Sequence, residues 1–156
     1  MIKKKKSRSA TILIANGVNL DLLGHRETEH YGDFSLLDLE RYVRQESPKI
    51  GHAAGFDDVD VHFFQTNDET LFLQKLTEGW DGAVVNAGAW THSSIALSDR
   101  LVALDLTFIE VHISNIAKRE AFRQKSFLAP HANGVISGLG MDSYAAGLYA
   151  LLRCIS

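Results

Sequence analysis

The sequence has a single cysteine, Cys154, in 156 residues. No internal disulfide can form, and the simplest compartment for such a chain is a reducing one, the cytoplasm. Charge of one sign is also missing. Sixteen Lys and Arg face 19 Asp and Glu, a formal net charge of -3, which points to neither nucleic acid nor membrane as a partner. Long apolar runs are absent as well. The basic opening, MIKKKKSRS, would need an apolar core of about 7–15 residues behind it to act as a secretion signal. Here residues 11–15 are followed at once by Asn16 and Gly17. Residues 1–10 are therefore read as a solvated, disordered basic tail, with a weak contact to an anionic partner as the lesser alternative. Residues 11–156 form one domain, long enough to bury a core. No internal repeat, low-complexity tract or interdomain linker interrupts it.

Several chemistries are missing by motif. No His-x-x-x-His and no cysteine pair occurs, which disfavours zinc. No Gly-x-Ser-x-Gly elbow presents a nucleophilic serine, although Ser93 and Ser94 follow His92. Neither a Walker-type phosphate loop nor a Gly-x-Gly-x-x-Gly fingerprint follows the first strand. The loop there carries Asn16 and Asn19 instead, which suits a small polar organic ligand better than a pyrophosphate.

What is present is a regular alternation. Residues 11–15 read as a short apolar strand. Ser35 caps a helix, with Asp38 placed for a capping box and Leu36, Leu39, Tyr42 and Val43 on one face; Pro48 and Gly51 are expected to end it. Residues 59–64 alternate as a second strand. Asn67 or Asp68 caps a second helix carrying Leu71, Phe72, Lys75 and Leu76. Residues 82–86 are a third strand, apolar as a doubly buried strand should be. A third helix is expected over 91–104, with Ile95, Leu97, Leu101, Val102, Ala103 and Leu104 inward. Residues 107–112 and 134–137 are the fourth and fifth strands. A polar arm over 114–124 lies between them, and a last helix over 141–153 turns Tyr144, Ala145, Leu148, Leu151 and Leu152 inward. Strands alternating with helices imply a mostly parallel sheet. The expected fold is α/β: a flavodoxin-like three-layer sandwich with five strands in the order 2-1-3-4-5.

Ligands in such sheets bind beyond the carboxyl ends of the strands. Strand one ends at Asn16 and Asn19, and strand three at Asn86 with His92 following. Strand four ends in Glu110, His112 and Ser114, which share one face. Polar groups therefore gather at one end of three neighbouring strands. Arg26 and Tyr31, five residues apart on the polar continuation of the first loop, suit a lid bringing reactive groups over a ligand. Plainer roles stand beside these. Asn16 is also an ordinary turn residue, His62 a structural or surface histidine, and Glu110 with His112 a buried ion pair that serves stability alone. His25, His30, His52 and His131 carry little signal singly.

Read together, the motifs resemble those of the type II 3-dehydroquinate dehydratases. The resemblance rests on Asn16-Gly-Val-Asn19-Leu with Leu23-Gly24-His25-Arg26 and Tyr31-Gly32, then Asn86-Ala-Gly-Ala-Trp-Thr-His92-Ser-Ser. It continues through Glu110-Val-His112-Ile-Ser114-Asn115, Arg119-Glu-Ala-Phe-Arg123 and Gly134-Val-Ile-Ser-Gly-Leu-Gly140. It implies loss of water from 3-dehydroquinate to give 3-dehydroshikimate, in the shikimate or quinate pathway. The route has an enolate intermediate and uses no cofactor, metal or Schiff base. By the same resemblance Tyr31 is the base, kept partly ionised by Arg26, and Asn19 holds the water that bonds the enolate oxygen. A phenol titrating near pH 10 needs such a cation to act near neutrality. His112, oriented by Glu110, is the acid for the departing hydroxyl, and Asn86 positions that group. The amides of Ile113 and Ser114 receive the carboxylate, and His92 and Arg123 bind ring hydroxyls. Asp99 reaches a neighbouring subunit's site in a dodecamer built of trimers. Val18 and Thr28 stand where the family usually has proline, Asp21 where Asn is frequent and Trp90 where Tyr is common. None of these removes a catalytic group. Two other functions remain open on the sequence: a non-catalytic flavodoxin-like binding module, and a family member whose cyclic polyhydroxy-acid substrate has drifted.

Overall fold

The computed structural model describes residues 7–25 and 32–156. Strands β1 (Ser9–Asn16), β2 (Asp58–Gln65), β3 (Gly82–Asn86), β4 (Phe108–His112) and β5 (Gly134–Ser137) pair in parallel in the order β2-β1-β3-β4-β5. This is the order expected from the sequence. Helices α1 (Leu36–Ala54), α2 (Glu69–Lys75), α3 (Ile95–Ala103) and α4 (Asp142–Cys154) lie between or after the strands. The two-residue period of the strands divides the core into two layers. Ile12, Ile14, Val84, Ile109 and Val111 pack with Leu39 and Val43 of α1 and with Tyr144 and Leu148 of α4. Leu13, Ala15, Ala83, Val85 and Phe108 pack on the other face with Phe72 of α2 and with Leu97 and Leu101 of α3. Every residue of β3 and β4 is buried. A polar side chain can enter these strands only where it finds partners.

Three boundaries differ from the sequence reading by more than one residue, each for a local reason. β1 starts at Ser9, because Ser9 pairs with Asp58 and the Arg8 N–H donates to the Asp57 carboxylate at 2.8 Å. The last residues of the expected tail, Ser9 and Ala10, thus belong to the sheet.

Helix α1 runs through Pro48 and Gly51 to a left-handed Gly55 (φ 91°). Pro48 has no N–H to give the Arg44 carbonyl. The Ser47 hydroxyl donates to that carbonyl at 3.1 Å instead. At Gly51 the helix presses on Val59, whose Cγ2 would lie 2.6 Å from an added Cβ. The glycine is a packing residue and not a stop. At the other end the capping box is present: the Asp38 N–H donates to Ser35 Oγ at 3.1 Å and the Ser35 N–H to Asp38 Oδ2 at 3.0 Å.

The third difference is in α3. Residues 88–92 form a 3-10 turn, and the Ser94 hydroxyl, accepting from the Leu97 N–H at 2.9 Å, starts the α-helix later. That cap sets the rotation, so that Leu97, Ser98 and Leu101 face inward. Ile95, Val102, Ala103 and Leu104 are exposed, contrary to expectation. The helix carries two stripes of similar spacing, and the inward one includes the polar Ser98, whose hydroxyl donates to the Phe127 carbonyl at 3.0 Å.

Proline inside a helix costs about 3 kcal/mol relative to alanine, offset by about 0.4–1 kcal/mol from its stiffening of the unfolded chain. Pro48→Ala is therefore expected to stabilise the protein by about 2 kcal/mol. A urea midpoint that stays put or falls would show that Ser47 already compensates the missing bond in full.

Candidate active site

The sheet brings Asn16 and Asn86 into register at the ends of neighbouring β1 and β3. Both face α4, where the hydroxyl of the fully buried Tyr144 bridges them. It donates to Asn16 Oδ1 at 2.6 Å and accepts from Asn86 Nδ2 at 2.8 Å, and the Gly88 N–H donates to Asn86 Oδ1 at 3.2 Å. Burial raises the Tyr144 pKa, and the bond from Asn86 opposes this only in part. The phenol stays neutral, as a group that donates on one side and accepts on the other must. Asn16 is thus a buried bridge and more than a turn residue; its Nδ2 has no partner among the described residues. Asn86 reaches the cleft beyond the strands.

Two glycines let the loops after β1 and β3 touch. A Cβ on Gly17 would sit 2.4 Å from the Ala87 oxygen, and one on Gly88 (φ 61°) would sit 2.6 Å from the Val18 oxygen. No other residue tolerates that approach. It is reinforced by the Gly17 N–H, which donates to the Asn86 carbonyl at 2.8 Å. Asn19 follows in the left-handed region (φ 65°), its N–H held by Asn67 Oδ1 at 2.7 Å. Asn67 in turn donates to Asp21 at 3.1 Å. The loop presents Asn19, Leu20 and Leu23 to a solvent-open cleft.

Opposite them stands the end of β4. Glu110 is 0% exposed, and its Oε1 lies 2.7 Å from Nε2 of His112, itself 5% exposed. The carboxylate also accepts from the Thr91 hydroxyl and, with both oxygens, from the Ser126 hydroxyl at 2.8 and 2.9 Å. Burial by itself raises the carboxyl pKa. The bonds from His112, Thr91 and Ser126 overcome that penalty and hold it below the usual carboxylate range. An ionised Glu110 can only accept, so His112 Nε2 carries the hydrogen. His112 also lines the cleft. A buried imidazole with a carboxylate on one nitrogen and a cleft beside it is arranged to hold and release a proton.

The His92 ring lies nearly parallel to that of His112, 6.3 Å between centroids. Its Nδ1 is 2.7 Å from the Lys125 carbonyl and must donate to it. Burial lowers the His92 pKa, the Lys125 carbonyl opposes this, and the neighbouring His112 and Arg123 add to the lowering. A neutral ring therefore offers Nε2 as an acceptor. After β4 the chain turns through Ile113 and Ser114, both buried and both lining the cleft. Among the described residues their backbone N–H groups make no hydrogen bond. Adjacent amides of this kind suit a carboxylate. Arg123 and Arg119 close the wall from the arm, each 3.3 Å through Nε from Glu120 Oε2. The Arg123 contact is an ion pair without hydrogen-bond alignment, and among the described residues its buried Nε has no acceptor.

Of the residues picked out from the sequence, Asn19, Asn86, His92, His112, Ile113, Ser114 and Arg123 meet around the cleft, with Glu110 directly behind His112. Asp99 lies on α3, exposed and not part of the cleft wall. Arg26 and Tyr31 lie outside the described residues. His62 is exposed and paired with Asp60 at 2.7 Å, as a surface histidine. Four contributors carried no functional assignment in the sequence: Thr91, Ser126, Tyr144 and Arg119. Arg119 and Arg123 share a four-residue spacing that could have marked both. Tyr144 offered only a hydroxyl at the start of an apolar helix, and Ser126 offered nothing. Among the described residues no group of three or more His, Cys, Asp or Glu is placed to hold a metal ion.

An open parallel α/β sheet with a carboxylate–imidazole pair, unpaired amides and arginines at its carboxyl edge has the makings of an enzyme for a small polar acid. Residues 10–152 match the family model described as Dehydroquinase class II. The 3-dehydroquinate dehydratase of Pelodictyon phaeoclathratiforme is 46% identical over 151 residues, spanning 94% of this chain and 94% of the relative. That of Herminiimonas arsenicoxydans is 41% identical over 146 residues, 91% of this chain and 96% of the relative. The crystal structure of type II dehydroquinase from Butyrivibrio crossotus superposes with a TM-score of 0.83 at 36% identity, covering 92% of this chain and 97% of that one. The chain belongs to the class II dehydroquinase family.

Replacing Tyr144 by Phe leaves a buried acceptor on Asn16 and a buried donor on Asn86 without their shared partner. An unsatisfied buried group costs about 1–3 kcal/mol. Tyr144→Phe is expected to lower the denaturant midpoint accordingly, and an unchanged midpoint would show that the amides find new partners.

Proposed function

We infer that this chain dehydrates 3-dehydroquinate to 3-dehydroshikimate. The observation that carries the reading is the buried Glu110–His112 pair at the end of β4, facing Asn19 and Asn86 across the cleft. Dehydration next to a ketone needs a base for a carbon-bound proton, a donor set for the enolate oxygen, and an acid for the departing hydroxyl. His112 suits the acid. As an imidazolium it shares one N–H with the Glu110 carboxylate and gives the proton on its other nitrogen to the leaving oxygen, which departs as water. Asn86, held by Tyr144 and Gly88, steadies that oxygen. The free amides of Ile113 and Ser114, with the Ser114 hydroxyl, take the substrate carboxylate. His92 Nε2 and Arg123 take ring hydroxyls. Asn19 holds a water on the enolate oxygen.

The base is Tyr31, kept partly ionised by Arg26. This assignment rests on the sequence resemblance. The route we propose uses no metal and no cofactor, and the proton taken by Tyr31 returns to solvent before the next turnover. We further propose a dodecamer of trimers in the cytoplasm, with Asp99, exposed on α3, reaching a neighbouring subunit's site. No helix among the described residues is long and apolar enough to cross a membrane.

The test is absorbance of the conjugated enone formed from 3-dehydroquinate. Wild type is expected to turn over, and Tyr31→Phe to lose about 10²–10⁴-fold in kcat, the range for removing a positioned base. An inert wild type would refute the function, and a fully active Tyr31→Phe would refute the base.

A further inference from the structure

We infer that Ser126 and Thr91 are positioning residues for the acid: they hold Glu110 as the oriented partner of His112, and Ser126 ties that pair to the arm carrying Arg119 and Arg123. The inference rests on the proposed reaction for its catalytic meaning, but its geometry stands independently. A single Ser126 hydroxyl donates to both Glu110 oxygens and accepts from the Leu128 N–H at 3.0 Å and the Ala129 N–H at 2.9 Å. With two donors on the oxygen its proton is directed at the carboxylate. Thr91, 0% exposed, donates to Oε1, and its own carbonyl accepts from the Phe127 N–H at 2.8 Å. The neighbouring Lys125 carbonyl takes the His92 Nδ1 hydrogen. Residues 125, 126 and 127 are therefore stitched in succession to His92, Glu110 and Thr91. The segment that orients both imidazoles directly follows the arm from which the cleft arginines project.

The consequence concerns which form of Glu110 the site supports. Facing it are His112 from β4, Thr91 and the nearby His92 from the turn after β3, and Ser126 from the segment after the arm; Arg123 is close enough to act on His92. Two of the three donors on the carboxylate are neutral hydroxyls whose only service there is to favour the anion. Remove either and burial regains ground, so Glu110 takes up a proton at higher pH. A protonated Glu110 no longer stabilises the imidazolium. The acid limb of the turnover profile then moves up with it.

The deciding experiment follows the Glu110 carboxyl by carbon NMR through a pH titration, alongside kcat and KM against pH. The proteins are wild type, Ser126→Ala, Thr91→Val and the conservative Thr91→Ser. Ser126→Ala and Thr91→Val are expected to raise the Glu110 midpoint by about one pH unit, a tenfold change in proton affinity. The acid limb of kcat should move by the same amount with KM nearly unchanged, and Thr91→Ser should restore the wild-type profile. If Ser126→Ala does not fold, the isosteric Thr91→Val carries the test, since it leaves the Ser126 clip intact. Unmoved midpoints and acid limbs would overturn the inference. An inert wild type whose Glu110 midpoint still shifts in the variants would remove the dehydratase reading and keep the positioning of the pair.

Discussion

A carboxylate with no solvent contact is the constraint on which this site depends. Burying Glu110 inside β4 would be prohibitive without donors, and the surrounding chain is arranged to supply them. Three segments converge on one oxygen pair: the turn after β3 through Thr91, the stretch just after the arm through Ser126, and β4 itself through His112. Each of these also forms a wall of the cleft. The carboxylate beside His112 therefore also fixes the geometry of the pocket, and the hydrogen bonds that allow its burial also shape the cleft.

A second buried polar knot works on the opposite face of the sheet. Tyr144 spans Asn16 and Asn86, linking α4 to the ends of β1 and β3. Side chains alternate across each strand, so Asn86 points toward α4 while Glu110 and His112 share the face packed by α2 and α3. The cleft sits where both faces run out, beyond the strand ends. The close approach of Gly17 to Ala87 and of Gly88 to Val18 brings the two loops together there. An open parallel sheet offers this crevice generically; the asparagines, histidines and glycines at its edge make it specific.

Strand order and strand identity were legible because β1, β3 and β4 are short apolar runs that end in polar residues. Most of the cleft was legible for the same reason: Asn86, His92, His112 and Ser114 follow strands that fix where they must lie. Rotation of α3 was not, because Ser98 faces inward and Ile95 and Val102 face outward, an inversion that hydrophobicity cannot reveal. Nor was the passage of α1 through Pro48, which depends on a local hydroxyl substituting for the lost N–H. Ser126 and Tyr144 were invisible as site residues since their roles arise from partners 16 and 128 residues away. Periodicity finds faces; it does not find the hydrogen bonds that join them.

The central claim is that a negative charge on Glu110 makes His112 the acid. Glu110→Gln tests it most directly, because the amide keeps the size and can still accept from His112 while the charge is lost. A loss of about 10²–10⁴-fold in kcat is expected, with KM little changed and the fold retained by circular dichroism. Turnover within about threefold of wild type would contradict it, leaving Glu110 with His112 as a buried pair that serves stability alone.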